Sequence, residues 1–159
     1  MQTAAVGSTR ILEITTTDLP SLVALAREFF EEAKLRGSFD ADWWMAQWTL
    51  FLTNGYGHIL VARRDELLVG GVGYLLYPDV QTNVMTALEA FLFVSRPYRH
   101  GLTALRLLHA LESDAARHGA RLVRVAALEG MDARVPDWYQ REGYRPVETI
   151  YEKGVGTWP

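Results

Sequence analysis

The hydrophobic and polar positions of residues 10–53 predict a strand followed by two helices. Residues 10–15 are rich in β-branched side chains, which favour strands. In residues 18–35, apolar side chains recur every third or fourth position, a spacing typical of an amphipathic helix that ends before Gly37. Residues 40–53 repeat this helical spacing with aromatic side chains on one face. Two helices are therefore expected before the main part of the sheet.

The middle of the chain predicts an antiparallel hairpin followed by a parallel crossover. Residues 58–63 and 68–77 have the composition of strands and are joined by a short polar turn, so we expect them to pair antiparallel. Residues 85–94 are the next predicted strand, and an amphipathic helix follows with Gly119 placed to end it. Residues 121–128 are predicted as a fifth strand, parallel to residues 85–94 and reached by a right-handed crossover.

A short helix and a last strand complete the predicted elements. The helix is expected at residues 135–142 and the strand near residues 150–153, so the full order is β-α-α-β-β-β-α-β-α-β. This order describes an α/β protein with a mixed sheet. The 159 residues suit one domain with its own core. We therefore predict a single domain over residues 10–159, preceded by a loose segment at residues 1–9.

Composition and charge narrow the classes of function. The chain has no Cys, which excludes a disulfide scaffold, a thiolate zinc site and a Cys nucleophile. Its 16 basic and 19 acidic side chains argue against a nucleic-acid partner bound through a basic surface. No signal peptide or membrane span is recognisable, so a soluble cytoplasmic protein without a membrane partner is expected. No metal site is expected, because no two of the four histidines stand at the helical i, i+4 spacing with a supporting carboxylate. The histidines are His58, His100, His109 and His118.

The segment from Phe91 to Leu108 carries the most informative chemistry. A buried strand runs through a short turn, which contains Arg99 and Gly101, into the start of a helix. The first turn of a helix presents unpaired N–H groups and a partial positive charge, so a phosphate group fits there. The alternative is a plain connecting turn. A P-loop NTPase and a Rossmann dehydrogenase are disfavoured, because the Walker pattern is missing and Gly70–Gly73 lies within a strand.

Two motifs resemble those of the GNAT superfamily of N-acetyltransferases. Residues 94–104, VSRPYRHGLTA, resemble its acyl-CoA signature, Arg/Gln-x-x-Gly-x-Gly/Ala after a strand that ends in Val. Leu102 stands at the middle glycine position, and Gly101 lies one place earlier. Residues 138–147, WYQREGYRPV, are similar to the family's Tyr-Glu-Lys-Leu-Gly-Phe ending. The resemblance covers roughly residues 10–153 and implies the family's fold, with acetyl-CoA as the cofactor.

The resemblance implies which residues contact the cofactor. Backbone groups of Phe93 and Val94 would pair with the pantetheine arm. The pyrophosphate would be held by the turn residues Arg99, His100, Gly101, Leu102, Thr103 and Ala104. Asp132 stands seven residues before Tyr139, where the family often has Asn near the cofactor, and its carboxylate would accept a hydrogen bond from a pantetheine amide.

Two side chains are candidates for catalysis. Tyr139 matches the Tyr that faces the thioester sulfur in the family, and its phenol would donate a hydrogen bond to the departing thiolate. The alternative for Tyr139 is an aromatic side chain that packs a short helix on the sheet. Glu89 is the candidate base for the amine, because strand alternation places it on the same face as Phe91 and Phe93. A purely structural role for Glu89 is the alternative.

The acceptor side is less determined by the sequence. Aromatic and acidic residues of the two early helices would suit a cationic amine, although core packing and a solvated helix face explain them as well: Trp43, Trp44, Trp48, Phe51, Glu28, Glu31 and Glu32. The leading hypothesis is an N-acetyltransferase that moves acetyl from acetyl-CoA to a primary amine, on a small molecule or a protein or peptide, by direct attack. The alternative is a catalytically silent CoA-binding or protein-interaction module. An exposed sheet edge also suggests a homodimer.

Overall fold

A five-stranded mixed sheet forms the centre of the protein in the computed structural model, which describes residues 8–157. The strands, in chain order and in order across the sheet, are β1 (Thr9–Glu13), β2 (Gly57–Arg64), β3 (Leu67–Pro78), β4 (Met85–Val94) and β5 (Leu122–Arg124). β1 to β4 pair antiparallel with their neighbours, whereas β4 and β5 are parallel. The predicted mixed sheet, with its hairpin and its parallel crossover pair, is therefore confirmed.

Four helices cover the two faces of this sheet. They are α1 (Leu19–Glu32), α2 (Ala41–Thr53), α3 (Thr103–Arg117) and α4 (Val135–Arg141). The side chain of Asp40 accepts a hydrogen bond from the backbone N–H of Trp43 at 2.9 Å, which fixes the start of α2. Gly119 has a φ of +89° just after α3, as expected of the residue that ends a helix. Across residues 8–157, none of the helices combines the length and the apolar character of a membrane span.

Two boundaries in the first part of the chain differ from the prediction. α1 ends at Glu32, because Lys34 adopts the left-handed φ of +52° before Gly37 is reached. Thr9, which was predicted within the loose segment at residues 1–9, is instead the first residue of β1. The rest of that segment, residues 1–7, lies outside the described residues.

The predicted strands at the end of the chain are also wrong in extent. The fifth strand was expected over residues 121–128, but its ladder covers only Leu122–Arg124. The last strand, expected near residues 150–153, does not form. The side chains of Ile150 and Tyr151 are 83% and 91% exposed, so the burial that stabilises one face of a strand is missing there. The observed order therefore ends in α4.

The core has two parts, one on each face of the sheet. β2 divides them by simple alternation, because Leu60 and Ala62 pack in the cluster beside α3 while Ile59 and Val61 pack in the cluster beside α1 and α2. All four side chains are at most 3% exposed. The sheet is thus clamped between helices on both sides, and the site described below lies where β4 reaches beyond β5.

Candidate active site

A cavity of about 440 Å³ opens where β4 and β5 separate. β5 pairs only with Thr86–Leu88, while β4 continues to Val94. The walls of the cavity include Glu89 on β4, Glu32 on α1 and Tyr139 on α4. An incomplete parallel pair therefore creates a cleft between the fourth strand and the edge strand of the sheet, bordered by α1 and α4.

A β-bulge on β4 lies beside this cleft. Phe91 pairs with Gly73 and Glu89 pairs with Tyr74, so Ala90 is an extra residue on β4. Tyr74 packs on the α3 side of the sheet, whereas Phe91 packs on the α1 and α2 side. The alternation predicted to place Glu89 and Phe91 on one face is therefore wrong, because the bulge falls between them. The bulge re-aims Glu89 without removing it from the cavity wall.

Glu89 is a buried carboxyl group that joins β4 to the segment just after β5. Its residue is only 9% exposed, and its Oε2 accepts a hydrogen bond from the backbone N–H of Ala126 at 2.9 Å. Burial raises the pKa of Glu89 to about 7, although the Ala126 hydrogen bond acts in the opposite direction. A carboxyl group with this pKa exchanges its proton near neutral pH, which is a property of general bases.

Tyr139 lines the same cavity from α4. The residue is 7% exposed, and its ring lies 5.0 Å from that of Trp138 and 5.6 Å from that of Tyr144. Burial, followed by the nearby charge of Glu89, raises the pKa of the Tyr139 phenol. The phenol therefore keeps its proton and acts as a hydrogen-bond donor. The Tyr139 ring therefore packs against neighbouring aromatic rings and lines the cavity at the same time.

Arg99 ties the turn before α3 to the cavity. Its Nε donates to the carbonyl oxygen of Val94 at 2.7 Å, and its Nη1 donates to Glu32 Oε1 at 2.5 Å. The guanidinium also lies over the ring of Phe93, 4.9 Å from the ring centre. The Arg99 hydrogen bond is the main cause that lowers the pKa of Glu32. A cation is thus held at the end of β4, paired with a carboxylate of α1.

The predicted pyrophosphate turn is divided between two cavities. Arg99 and Ala104 line the larger one, whereas His100, Gly101, Leu102 and Thr103 line a second cavity of about 150 Å³. Gly101 has a φ of +126°, so the glycine conformation falls one place before the position where the family signature has it.

The start of α3 keeps its own anion-binding capacity. Leu102 is the residue that precedes α3, and no side chain caps the helix there. The N–H groups of the first turn therefore lack a side-chain acceptor, and an anionic ligand can supply one. The Leu102 side chain is 66% exposed and leaves the turn open.

Asp132 lies in the cavity wall but is paired with a residue that the sequence did not single out. Its Oδ2 accepts a hydrogen bond from Arg134 Nη2 at 2.6 Å. The side-chain hydrogen bonds from Arg134, followed by that from its backbone N–H, lower the pKa of Asp132 to about 2. Arg134 lines the cavity as well. The sequence indicates this pair only by an acidic and a basic side chain two residues apart, and that spacing is too common to predict an ion pair. Arg134 and Arg141 line the cleft together with Arg99, and Phe29 of α1, also unpredicted, contributes to its wall.

Of the seven proposed acceptor residues, Trp44, Trp48 and Phe51 belong to the core, whereas Trp43 and Glu31 are exposed. Trp48 is 5% exposed and its ring meets that of Phe91 edge to face at 5.7 Å. Glu28 accepts a hydrogen bond from Ser95 Oγ at 2.7 Å. Of the aromatic and acidic residues suggested by the sequence, Glu32 is the one in the wall of the larger cavity. Core packing therefore explains Trp48, and Glu32 remains as the acidic candidate.

The fold is that of an α/β protein with a cleft between diverging parallel strands. The family model described as "Acetyltransferase (GNAT) family" matches residues 19–144, and the chain belongs to this family. GNAT acetyltransferases use acetyl-CoA and act on amine acceptors. No curated protein sequence matches the chain.

Solved structures with the same fold cover nearly the whole chain. One is a predicted acetyltransferase with acetyl-CoA from Clostridium acetobutylicum, with a TM-score of 0.77, 12% identity and coverage of 92% of this chain and 96% of that one. A ribosomal-protein-alanine N-acetyltransferase from Brucella melitensis has a TM-score of 0.75 at 18% identity, covering 94% of this chain and 100% of that one. An aminoglycoside acetyltransferase from an uncultured soil metagenomic sample has a TM-score of 0.75 at 18% identity, covering 94% and 99%. At these identities the likeness establishes the fold.

Proposed function

We propose that the protein transfers an acetyl group from acetyl-CoA to a primary amine on a small molecule, a protein or a peptide. The observation that carries this proposal is the cleft between β4 and β5, in which Glu89 and Tyr139 line one cavity. Glu89 exchanges a proton near neutral pH, while Tyr139 keeps its own. A proton acceptor and a hydrogen-bond donor in one buried space are what acetyl transfer to an amine requires.

The pantetheine arm of the cofactor would add to the edge of β4. Beyond Leu88, β4 has no pairing with β5, so an extended ligand can occupy that edge as an added strand does. Its amides would pair with the backbone of Val94, whose N–H and C=O face this edge. Phe93 was expected to share that role, but its N–H and C=O face Gly71 of β3. The Val94 carbonyl already accepts from Arg99, and its second lone pair remains for a ligand. Asp132 and Arg134, on the opposite wall, offer an acceptor and a cation to the same arm.

The pyrophosphate would bind at the turn that leads into α3. The uncapped N–H groups of the first turn and the guanidinium of Arg99 supply hydrogen bonds and positive charge. Arg99 is paired with Glu32, so a bound pyrophosphate competes with that carboxylate for the guanidinium. Cofactor binding is therefore expected to loosen the contact between the turn and α1.

The chemistry would proceed by direct attack. The amine nitrogen forms a bond to the acetyl carbonyl carbon, the bond from that carbon to sulfur breaks, and CoA leaves as a thiolate. The nitrogen then gives up a second proton, which protonates the thiolate and leaves the neutral amide and free CoA. An amine of pKa about 10.4 requires about 4.6 kcal/mol to lose its proton at pH 7, and Glu89 accepts this proton directly or through a water molecule. Tyr139 donates a hydrogen bond that strengthens as charge builds on the sulfur, while the raised pKa of its phenol disfavours full proton transfer.

Cofactor binding is tested first, by thermal unfolding with acetyl-CoA or CoA and with ATP or NAD as controls. Ligand at about 100 times its dissociation constant should raise the Tm by on the order of 5 °C for a chain of this size. No shift at saturating acetyl-CoA would overturn the proposal. A shift specific to CoA compounds justifies assaying CoA thiol release with a panel of amines.

The catalytic roles are then tested with Tyr139→Phe. The variant should lose about 100-fold in transfer rate and keep its affinity for acetyl-CoA, because only the hydrogen bond to the leaving sulfur is removed. Tyr151→Phe, at a side chain that is 91% exposed, is the matched control and should be unchanged. Cofactor binding without transfer to any amine would instead identify a silent CoA-binding module.

A further inference from the structure

Three side chains from separate elements meet at the end of α3, and none of them lines the acetyl-transfer cavity. Glu13 ends β1, His58 lies at the start of β2, and His118 directly follows α3. The ring centres of His58 and His118 are 3.9 Å apart, and His58 Nδ1 lies 3.3 Å from Glu13 Oε1. One potential ligand atom from each residue lies within 4.8 Å of the other two.

His58 carries a polar atom that the protein does not satisfy. Its side chain is 10% exposed, and its Nε2 is buried without a hydrogen-bond partner. Its other nitrogen, Nδ1, lies 3.3 Å from Glu13 Oε1, which is close to the separation of about 3.4 Å between two ligands of one tetrahedral zinc ion. Nδ1 is therefore the nitrogen of His58 that is placed to share an ion with Glu13, and the ring hydrogen then lies on Nε2.

His118 offers its other nitrogen, Nε2, as a ligand. Its Nδ1 lies 2.9 Å from the backbone carbonyl oxygen of Asp114, which accepts the ring hydrogen and leaves the lone pair on Nε2. Asp114 is held in turn by a hydrogen bond from the hydroxyl of Tyr74 at 2.6 Å and by an ion pair with Arg117. An imidazole whose second nitrogen donates to a backbone carbonyl is the usual arrangement of a metal-binding histidine, because that bond fixes the tautomer and the ring.

We propose that Glu13, His58 and His118 form a binding site for a divalent transition metal, with Zn²⁺ as the ion that fits best. Two neutral imidazoles and one carboxylate are a known zinc ligand set, and a water molecule completes its four-coordinate shell. Oxygen-preferring ions such as Mg²⁺ and Ca²⁺ are disfavoured by two nitrogen ligands. The bound ion would join β1, β2 and the end of α3, three elements that are distant along the chain.

The surroundings allow the ion to enter and the ligands to close on it. Tetrahedral ligands about 2.1 Å from zinc lie about 3.4 Å from one another, and the three ligand atoms, all within 4.8 Å of one another, can reach this spacing by small movements of their side chains. The side chains of Glu13 and His118 are 49% and 35% exposed, which gives them room to move and leaves a path from solvent. His58, held between Tyr74 and His118, is the fixed member.

The test is a calorimetric titration of the full, untagged chain with Zn²⁺. The natural sequence should bind one ion per chain. Glu13→Gln and His118→Asn should each weaken binding by about 10-fold to 100-fold, because each removes one ligand at an exposed position. The matched control is His109→Asn, which removes a histidine of α3 whose side chain is 54% exposed and pairs with Glu142, and it should bind Zn²⁺ unchanged.

Two further measurements make the outcome decisive. The metal-free variants should unfold at nearly the same temperature as the natural sequence, and Zn²⁺ should raise the Tm of that sequence and of His109→Asn by on the order of 5 °C but not that of the ligand variants. Co²⁺ should give the intense visible absorption of a four-coordinate nitrogen and oxygen site. No saturable binding of Zn²⁺, or equal affinity in all four proteins, would overturn the proposal. Acetyl-CoA binding should be the same in all four, which separates this site from the proposed active site.

Discussion

Glu89 offers a single substitution that tests the described burial of the site. Its carboxyl group is enclosed in the cleft and has one hydrogen bond, to the backbone N–H of Ala126. Glu89→Gln keeps the length of the side chain and an oxygen that accepts from Ala126, but it removes the ionisation. Any difference in pH dependence between the two proteins therefore reports on the buried charge.

The magnitude follows from the change in pKa. Burial raises the pKa of Glu89 from its ordinary value of 4.5 to about 7, so the folded protein holds this proton more tightly than the unfolded chain does. Stability from this group is complete below pH 4.5 and is lost as the pH rises through about 7, since the unfolded chain releases the proton first. At about 1.4 kcal/mol per pH unit, the loss amounts to about 3 kcal/mol.

The assay is urea unfolding of the natural sequence and of Glu89→Gln at about pH 4.5 and about pH 8. Between these conditions the free energy of unfolding of Glu89→Gln should improve by about 3 kcal/mol relative to the natural sequence. Glu66→Gln, on the exposed turn between β2 and β3, controls for the loss of one surface negative charge. A stability difference that does not change with pH would refute the burial argument for Glu89.

The same variant has a separate consequence for activity. If Glu89 is the base, kcat/KM of the natural sequence should rise with pH through about 7, where the carboxyl group loses its proton. Glu89→Gln should remove this inflection and lower kcat about 100-fold or more. An unchanged pH profile in the variant would leave Glu89 as a structural bridge to Ala126 and would assign the proton to another acceptor.

Two other substitutions have outcomes set by the structure. Gly73→Ala would push a methyl group into the ring of Phe91, so the free energy of unfolding measured in urea should fall by about 1–3 kcal/mol. The control is Gly156→Ala, which has open space around it and should change this free energy by less than about 0.5 kcal/mol. Equal effects of the two substitutions would contradict the described packing. Glu32→Gln removes the anionic partner of Arg99 and should tighten acetyl-CoA binding roughly fivefold in a calorimetric titration, and an unchanged Kd would show that pyrophosphate does not compete for Arg99.

The sequence predicts the regular part of the fold because that part follows local rules. Alternating and helical hydrophobic positions locate the four helices and the five strands, Asp40 caps α2, and Gly119 ends α3. The strand expected near residues 150–153 does not form, because local composition alone does not supply the burial that a strand needs. Its β-branched and aromatic composition favours a strand, but nothing buries Ile150 or Tyr151.

The details of the site are less accessible to sequence reasoning. Composition and alternation do not show the extra residue at Ala90, because a bulge is defined by its pairing with the neighbouring strand. The hydrogen bond from Ala126 to Glu89, which joins residues 37 positions apart, is likewise set by tertiary structure. The same limit applies to the cluster at the end of α3. His58 and His118 have no regular spacing, and only the fold brings their rings to 3.9 Å.

The short β5 and the bulge at Ala90 together explain why the cleft lies where it does. A parallel partner that continued beside β4 to Val94 would fill the edge that the cavity now occupies. The pairing stops at Leu88, and in the next residues the bulge turns β4 while Glu89 reaches across to Ala126 in place of a ladder. β4 therefore lacks the hydrogen bonds that a longer β5 would make beyond Leu88. The hydrogen bond from Ala126 to the buried carboxyl group of Glu89 replaces one of them. Because the pKa of Glu89 is about 7, the side chain that spans the gap between β4 and the segment after β5 is also suited to accept a proton from an amine.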